Sequence, residues 1–481
     1  MEETTKALLP LRVFFFPLMA PGHMIPLIDI AKLFAARGIS STVVVTPGNE
    51  PFARPVINRA NATLFATFTP IHLLLLPFPS SVLHHLPDGK ENLSTFVFSH
   101  FTDFFKAVFA LEQPFNDLLR THLPDCLISD SMFPWTADAA INLGIPRLVF
   151  HGPGIFPLCV HDSLKLHDNF RDGNPFVIRD IPDTIEMRRH EVPMIFDALP
   201  LLKMVSESEE KSHGVITNSF YELEPAYAEH YRRKPGRRAW YVGPVSLCNE
   251  ASEEKEERGR LKPHPEFAAW FAWLNSKPAG SVVYVCFGSL CELTSDQVKE
   301  LALGLEASGH FFVWVVRGET AQPPEGFEER VRNVGVGLVI RGWAPQLVIL
   351  GHVAVGGFVT HCGWNSTLEA ITAGVPMVTW PLSSEQFVNE KFLTKVVRIG
   401  VGVRREGMDP TAVVGAEEVA MAVRRVMDGG DEASGRRRRV GEYAKLARAA
   451  MIKGGSSYMD LSRLIDELVT CRATAGGNAV G

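Results

Sequence analysis

The densest group of chemically competent side chains lies between Trp343 and Gln386. At its centre, Thr360-His361-Cys362-Gly363-Trp364-Asn365-Ser366-Thr367-Leu368-Glu369 reads as a strand end, a glycine-containing turn and a helix that starts near Asn365 or Ser366. The first turn of a helix presents unpaired backbone N–H groups at the positive end of its dipole, which suits a phosphate. His361, Asn365 and Ser366 add side-chain donors there. Glu369, one turn in, offers a carboxylate to ribose hydroxyls. The same residues would also serve as a plain helix cap, and local chemistry alone leaves both readings open.

A second group lies in the first half. His23 falls between the first strand and its helix, and Asp130 ends a later strand. Both belong at the carboxyl edge of a parallel sheet, where open α/β folds bind ligands. A carboxylate on one ring nitrogen fixes the histidine tautomer and stabilises the imidazolium once the other nitrogen takes a proton. A lone histidine is more often structural; an aspartate at the same edge makes His23 a general-base candidate. Competing signatures are absent. No G-x-G-x-x-G follows either first strand, and there is no G-x-x-x-x-G-K-[ST], H-E-x-x-H or G-x-S-x-G.

The elements that must position these groups alternate in type. Leu11–Phe16 reads as a buried strand, Pro21-Gly22-His23 as a turn, Ile25–Arg37 as a helix and Thr42–Val45 as the next strand. Cys126–Ser129, ending at Asp130, Arg147–Phe150 and Gly214–Thr217 are further strands, with a helix from about Trp135 to Leu143. A second series runs through Ser281–Phe287, Phe311–Val316, Gly337–Ile340, Val353–Phe358 and Met377–Trp380. Thr294 and Gln297 read as a capping box for the helix that ends before Gly309. Two strand–helix series imply two α/β domains, expected over residues 1–251 and 265–455. The charge-dense stretch Ser252–Lys262 reads as a solvated linker, placed over 252–264. Arg436–Arg439 reads as a solvated helix face. Ser456–Leu468 is amphipathic and predicts a terminal helix over 456–473, leaving 474–481 as a tail.

Composition agrees with that organisation. The chain has 481 residues, 46% hydrophobic and 21% charged, and at about 150 residues per domain that allows two or three domains. The net charge of -6 disfavours a nucleic-acid binder. Seven cysteines without a C-x-x-C pair argue against a disulfide framework or structural zinc site and for a reducing compartment. Glu2 and Glu3, with prolines breaking the early apolar run, argue against a signal peptide. No run of about 18 apolar residues predicts a membrane span. A cytoplasmic monomer is expected.

The Trp343–Gln386 segment resembles the signature of plant secondary-product UDP-glycosyltransferases. The match runs through Trp343-Ala344-Pro345-Gln346, Gly351-His352, His361 to Ala370, Gly374-Val375-Pro376, Trp380-Pro381 and Glu385-Gln386. It extends to Pro21–Pro26 and Asp130–Trp135, and so spans nearly the full chain. The resemblance implies the α/β fold called GT-B: two Rossmann-like domains face a central cleft, and a C-terminal helix packs back on the body. It implies that Trp343 stacks on uracil and the Ala344 backbone pairs with the base. Gln346 and Glu369 would hold the ribose, and Ser289, His361, Asn365 and Ser366 the diphosphate. Trp364, Glu385 and Gln386 would contact the sugar, with Gln386 suggesting glucose.

The expected reaction is an inverting displacement in which His23, oriented by Asp130, deprotonates an acceptor hydroxyl that attacks the anomeric carbon of UDP-glucose. The product would be a β-O-glucoside. No cofactor or metal is expected, since no Asp-x-Asp motif occurs. The acceptor would be an apolar plant small molecule, a steroid or triterpenoid or a flavonoid or other phenolic. Met132 and Phe156 are the acceptor-site candidates, within a first half rich in Phe96, Phe98, Phe101, Phe104, Phe105 and Phe133. A GT-B sugar-nucleotide epimerase and a catalytically silent UDP-sugar-binding protein are the alternatives.

Overall fold

Runs of large apolar residues bounded by Pro or Gly form strands buried on both faces, and the segments between them fold back as crossover helices. The computed structural model describes residues 10–63, 69–79, 91–95, 101–167, 170, 175–258, 265–291, 293–317, 322–404 and 412–477. In chain order its strands are β1 (Arg12–Phe16), β2 (Ser40–Val45), β3 (His72–Leu75), β4 (Cys126–Asp130), β5 (Arg147–Phe150), β6 (Phe176–Ile178), β7 (Ile185–Met187), β8 (Gly214–Thr217) and β9 (Ala239–Tyr241). There follow β10 (Val282–Cys286), β11 (Phe311–Val316), β12 (Gly337–Arg341), β13 (Val355–Thr360), β14 (Met377–Thr379) and β15 (Gly400–Gly402).

The first sheet has seven strands in the order β3-β2-β1-β4-β5-β8-β9, and the second has six in the order β12-β11-β10-β13-β14-β15. Every pairing within both is parallel. The small β6–β7 ladder is antiparallel. Each large sheet reverses its winding once, between β1 and β4 in the first and between β10 and β13 in the second. A crevice opens at such a point beyond the carboxyl ends of the strands. These are the Rossmann-like halves of a GT-B fold, and the charged stretch after Ala251 lies between them in sequence.

The terminal helix Ser456–Gly477 crosses back to the first half. Leu461, Leu464 and Leu468 are buried in the same cluster as Val13, Phe15 and Val43. Each such side chain contributes about 1.5–3 kcal/mol when fully buried. The Asp460 carboxylate accepts from the Tyr241 N–H at 3.0 Å and fixes the helix register.

The structure corrects several local expectations. The first helix is Pro21–Ala35, so His23 stands in its first turn rather than in a turn before it. Pro21 suits that position because its missing N–H would be unpaired there anyway. The capping box is half formed. Thr294 accepts from the Gln297 N–H at 3.3 Å, but the Gln297 side chain bonds both ways to the Val414 backbone instead. Within the linker stretch, Ser252–Glu257 is helical and the side chain of Arg258 is buried; residues 259–264 lie outside the described residues. Arg436, Arg437 and Arg439 are not a solvated face. They donate to carbonyls of Arg425, Val426, Met427, Asp428 and Arg398, because a helix end leaves its last carbonyls unpaired. Residues 474–477 continue the terminal helix.

Glu390, beside β14, accepts from Thr379 Oγ1 at 2.7 Å. Burial pushes its pKa up to about 7, against the Thr379 hydrogen bond and the charges of Lys391 and Arg404. A carboxyl whose folded pKa lies above its unfolded value binds more protons when folded, so stability falls as pH rises through that interval. Glu390→Gln removes the charge and keeps an acceptor for Thr379. It is expected to stabilise the protein by about 1–3 kcal/mol near pH 8, a gain that fades toward about pH 5. Thermal unfolding of both proteins across that range checks this.

Candidate active site

His23, in the first turn of the helix that follows β1, and Asp130, at the end of the adjacent β4, meet at the winding reversal of the first sheet. His23 Nδ1 lies 2.6 Å from Asp130 Oδ2. The other carboxylate oxygen accepts the Met132 N–H at 3.0 Å. Asp130 is fully buried, whereas the His23 side chain keeps 27% of its surface exposed. With Nδ1 donating to the carboxylate, Nε2 is the basic nitrogen. Burial acts to lower the His23 pKa, but the charge and hydrogen bond of Asp130, helped by Glu385, raise it above the ordinary 6.5.

The second sheet supplies the other wall. His361 follows β13, and Ser289 lies in the loop after β10. The His361 ring is wedged between two glycines. A Cβ on Gly288, whose φ is +77°, would come within 2.5 Å of the ring, and one on Gly363 within 2.4 Å. Burial, and secondarily Arg317, pushes the His361 pKa down to about 4. The imidazole is therefore neutral. Its Nδ1 is buried with no partner among the described residues, so this is a polar atom that a ligand can satisfy.

The helix Trp364–Ala373 starts beside it. Glu369, Gln346 and Ser366 form one cluster: Gln346 Nε2 donates to Glu369 Oε2 at 2.6 Å and to Ser366 Oγ at 2.9 Å. Ala344 is buried, and its carbonyl accepts the Gln346 N–H at 2.9 Å. Gln386 is held by its Oε1, which accepts from the backbone of Leu382 and Ser383 at 2.9 and 3.1 Å. Glu385 stands just before it, close enough to act electrostatically on His23.

Two residues of the Trp364–Ala373 helix bond the opposite half. Trp364 is buried, and its indole N–H donates to the Asn218 carbonyl at 2.7 Å. Asn365 Nδ2 donates to the Gly22 carbonyl at 2.7 Å, and its Oδ1 accepts from Asn218 Nδ2 at 3.2 Å. The Gly22 carbonyl is available because Pro26, four residues on, has no N–H to close that helical turn.

Of the acceptor candidates, Met132 is half-buried beside Asp130. Phe156 instead has no exposed surface and packs as core on Tyr227 and Phe392, with ring centroids 4.7 and 5.1 Å away. Phe104 and Phe133 are likewise core. Phe96 and Phe98, and the side chain of Phe101, lie outside the described residues.

Sequence reasoning missed Asn218, Arg258 and Arg317. Asn218 directly follows β8, the same kind of position that singled out Asp130. Arg317 follows β11, and its guanidinium lies 4.5 Å over the Trp343 ring.

The pair geometry makes a prediction. NMR titration should place the His23 pKa above 6.5, and Asp130→Asn, which removes the carboxylate charge, should lower it. An unchanged value in the variant would show that Asp130 does not govern the ring.

Comparison with known proteins shows the family and the fold. The family model described as UDP-glucoronosyl and UDP-glucosyl transferase matches residues 257–431. The chain is 46% identical to scopoletin glucosyltransferase of Nicotiana tabacum, over 96% of this chain and 99% of that one. It is also 46% identical to UDP-glucose flavonoid 3-O-glucosyltransferase 7 of Fragaria ananassa, over 97% and 98%. Among solved structures, Glycyrrhiza uralensis UGT73P12 complexed with glycyrrhetinic acid 3-O-monoglucuronide superposes with a TM-score of 0.90 at 35% identity, covering 98% of each chain. Medicago truncatula UGT71G1 complexed with UDP-glucose gives 0.78 at 28% identity, over 95% and 98%. The chain belongs to the plant UDP-glycosyltransferases.

Proposed function

We propose that this enzyme transfers glucose from UDP-glucose to a hydroxyl of a lipophilic plant small molecule, with inversion, to give a β-O-glucoside. The observation that carries the reading is the buried Asp130 carboxylate on Nδ1 of a partly exposed His23, together with a neutral His361 whose buried Nδ1 has no partner among the described residues. His23 Nε2 takes the proton of the acceptor hydroxyl as its oxygen attacks the anomeric carbon. Asp130 holds the tautomer and offsets the imidazolium charge. The bond from the anomeric carbon to the phosphate oxygen breaks on the opposite face, and both its electrons leave with UDP. The charge growing there is met by His361, Ser289 and the start of the Trp364–Ala373 helix, with no metal in the scheme.

Trp343 would carry the uracil, Gln346 and Glu369 the ribose, and Glu385 and Gln386 the glucose. Asn365 acts in the same place while its side chain bonds the opposite half. Support for glucose comes from relatives named as glucosyltransferases of scopoletin, flavonoids, anthocyanin and abscisate. Those names favour a phenolic or flavonoid acceptor. The likeness to a structure holding a glycyrrhetinic acid glucuronide keeps a triterpenoid in view. Among the described residues no helix is long and apolar enough to cross a membrane, and we place the enzyme in the cytoplasm as a monomer.

His23→Ala is expected to lower kcat by about 100-fold or more against any hydroxyl acceptor. Near wild-type turnover by that variant would remove the general-base role. With wild-type enzyme and UDP-glucose, the anomeric proton coupling of the product should report a β linkage. An α linkage would reject the single displacement.

A further inference from the structure

Arg258 lies just past the Ser252–Glu257 helix, where composition alone predicts solvent. Its side chain is only 8% exposed. Nε and Nη2 donate to Asp29 Oδ2 at 3.0 and 2.8 Å, and Nη1 donates to Glu369 Oε1. The two carboxylates are 2% and 5% exposed. Asp29 belongs to the helix that carries His23, and its other oxygen accepts from Asn249 Nδ2 at 3.1 Å. The other oxygen of Glu369 accepts from Gln346.

A buried carboxylate needs a paired cation, and removing that cation costs far more than the pair contributes. Gln346 supplies a hydrogen bond to Glu369 but no charge; Arg258 supplies both. The planar fork of a guanidinium engages two carboxylates at once, which an ammonium does less well. We infer that Arg258 is a positioning residue for the donor nucleotide: it fixes the Glu369 carboxylate in the orientation that meets the ribose and ties it to the helix of His23. This rests on the reading of the Gln346–Glu369 pair as the ribose site.

Calorimetric binding of UDP and 2′-deoxy-UDP to the full-length protein tests it, because neither acceptor nor chemistry enters. A hydrogen bond from a ribose hydroxyl to a well-placed carboxylate contributes a factor of about 10 to 100 in affinity. The wild type should therefore prefer UDP by about that factor. Arg258→Met keeps the apolar stem and loses both arms; its preference should fall to within about threefold, mostly through weaker UDP binding. Glu369→Gln should lose the preference similarly, and the double variant should lose little more. Where Arg258→Met fails to fold, Arg258→Lys serves, with a smaller loss in the same direction. A folded variant that keeps the full preference, weakens both nucleotides equally or binds UDP more tightly overturns the inference. So does a wild type that binds both nucleotides alike. A wild type that does not bind UDP overturns the functional reading first.

Discussion

A parallel strand delivers the residue after it to one edge of its sheet, and where the winding reverses, two neighbouring strands deliver residues into one crevice. The site depends on that constraint twice. β1 and β4 bring together His23 and Asp130, more than one hundred positions apart in the chain. β10 and β13 bring together Ser289 and His361 in the same way. The strands set the separations, and the short segments after β1 and β10, with Gly288 in the left-handed region, complete the approach.

The two edges then have to face each other, and polar groups that would otherwise be buried unpaired hold them there. Trp364 and Asn365 bond Asn218, Asn365 bonds Gly22, Lys391 pairs with Glu191 at 2.9 Å, and Arg258 reaches both Asp29 and Glu369. Buried polar atoms are costly alone and specific when matched. The face between the halves thus includes Asn365 and Glu369, two of the candidate donor-site side chains. Separating the halves would expose partners on both sides, which couples the geometry around His23 to that around Glu369 and Asn365.

Much of this was legible in the sequence. Strands such as Arg147–Phe150, Gly214–Thr217 and Phe311–Val316 coincide with the apolar runs that announce them, because a doubly buried strand must be continuously apolar. His23, Asp130, His361 and Glu369 stand out as candidates by their positions at strand ends and along a helix start, whereas Gln346 is reached only through the family resemblance. The misreadings share a cause. Arg258, Gln297 and the Arg436–Arg439 run were judged by their own composition, whereas their roles are set by distant partners: Asp29 and Glu369, Val414, and carbonyls from Arg398 to Asp428. Phe156 is similar, since nothing local shows that Tyr227 and Phe392 will enclose it. Local pattern reports which face is buried; it does not report which charged group will find a partner.

Pro26 illustrates a different kind of inheritance. By lacking an N–H it leaves the Gly22 carbonyl open to Asn365 from the opposite half. The acceptor is main chain, so no substitution at position 22 can delete it, and a Cβ there would lie an ordinary 3.9 Å from Asn365 Nδ2. The contact is instead encoded by an absent hydrogen four residues away, and a residue with an N–H at position 26 would make the helix compete for its own carbonyl. The contact point itself thus constrains the side chain at position 22 little, and the requirement falls on position 26 instead.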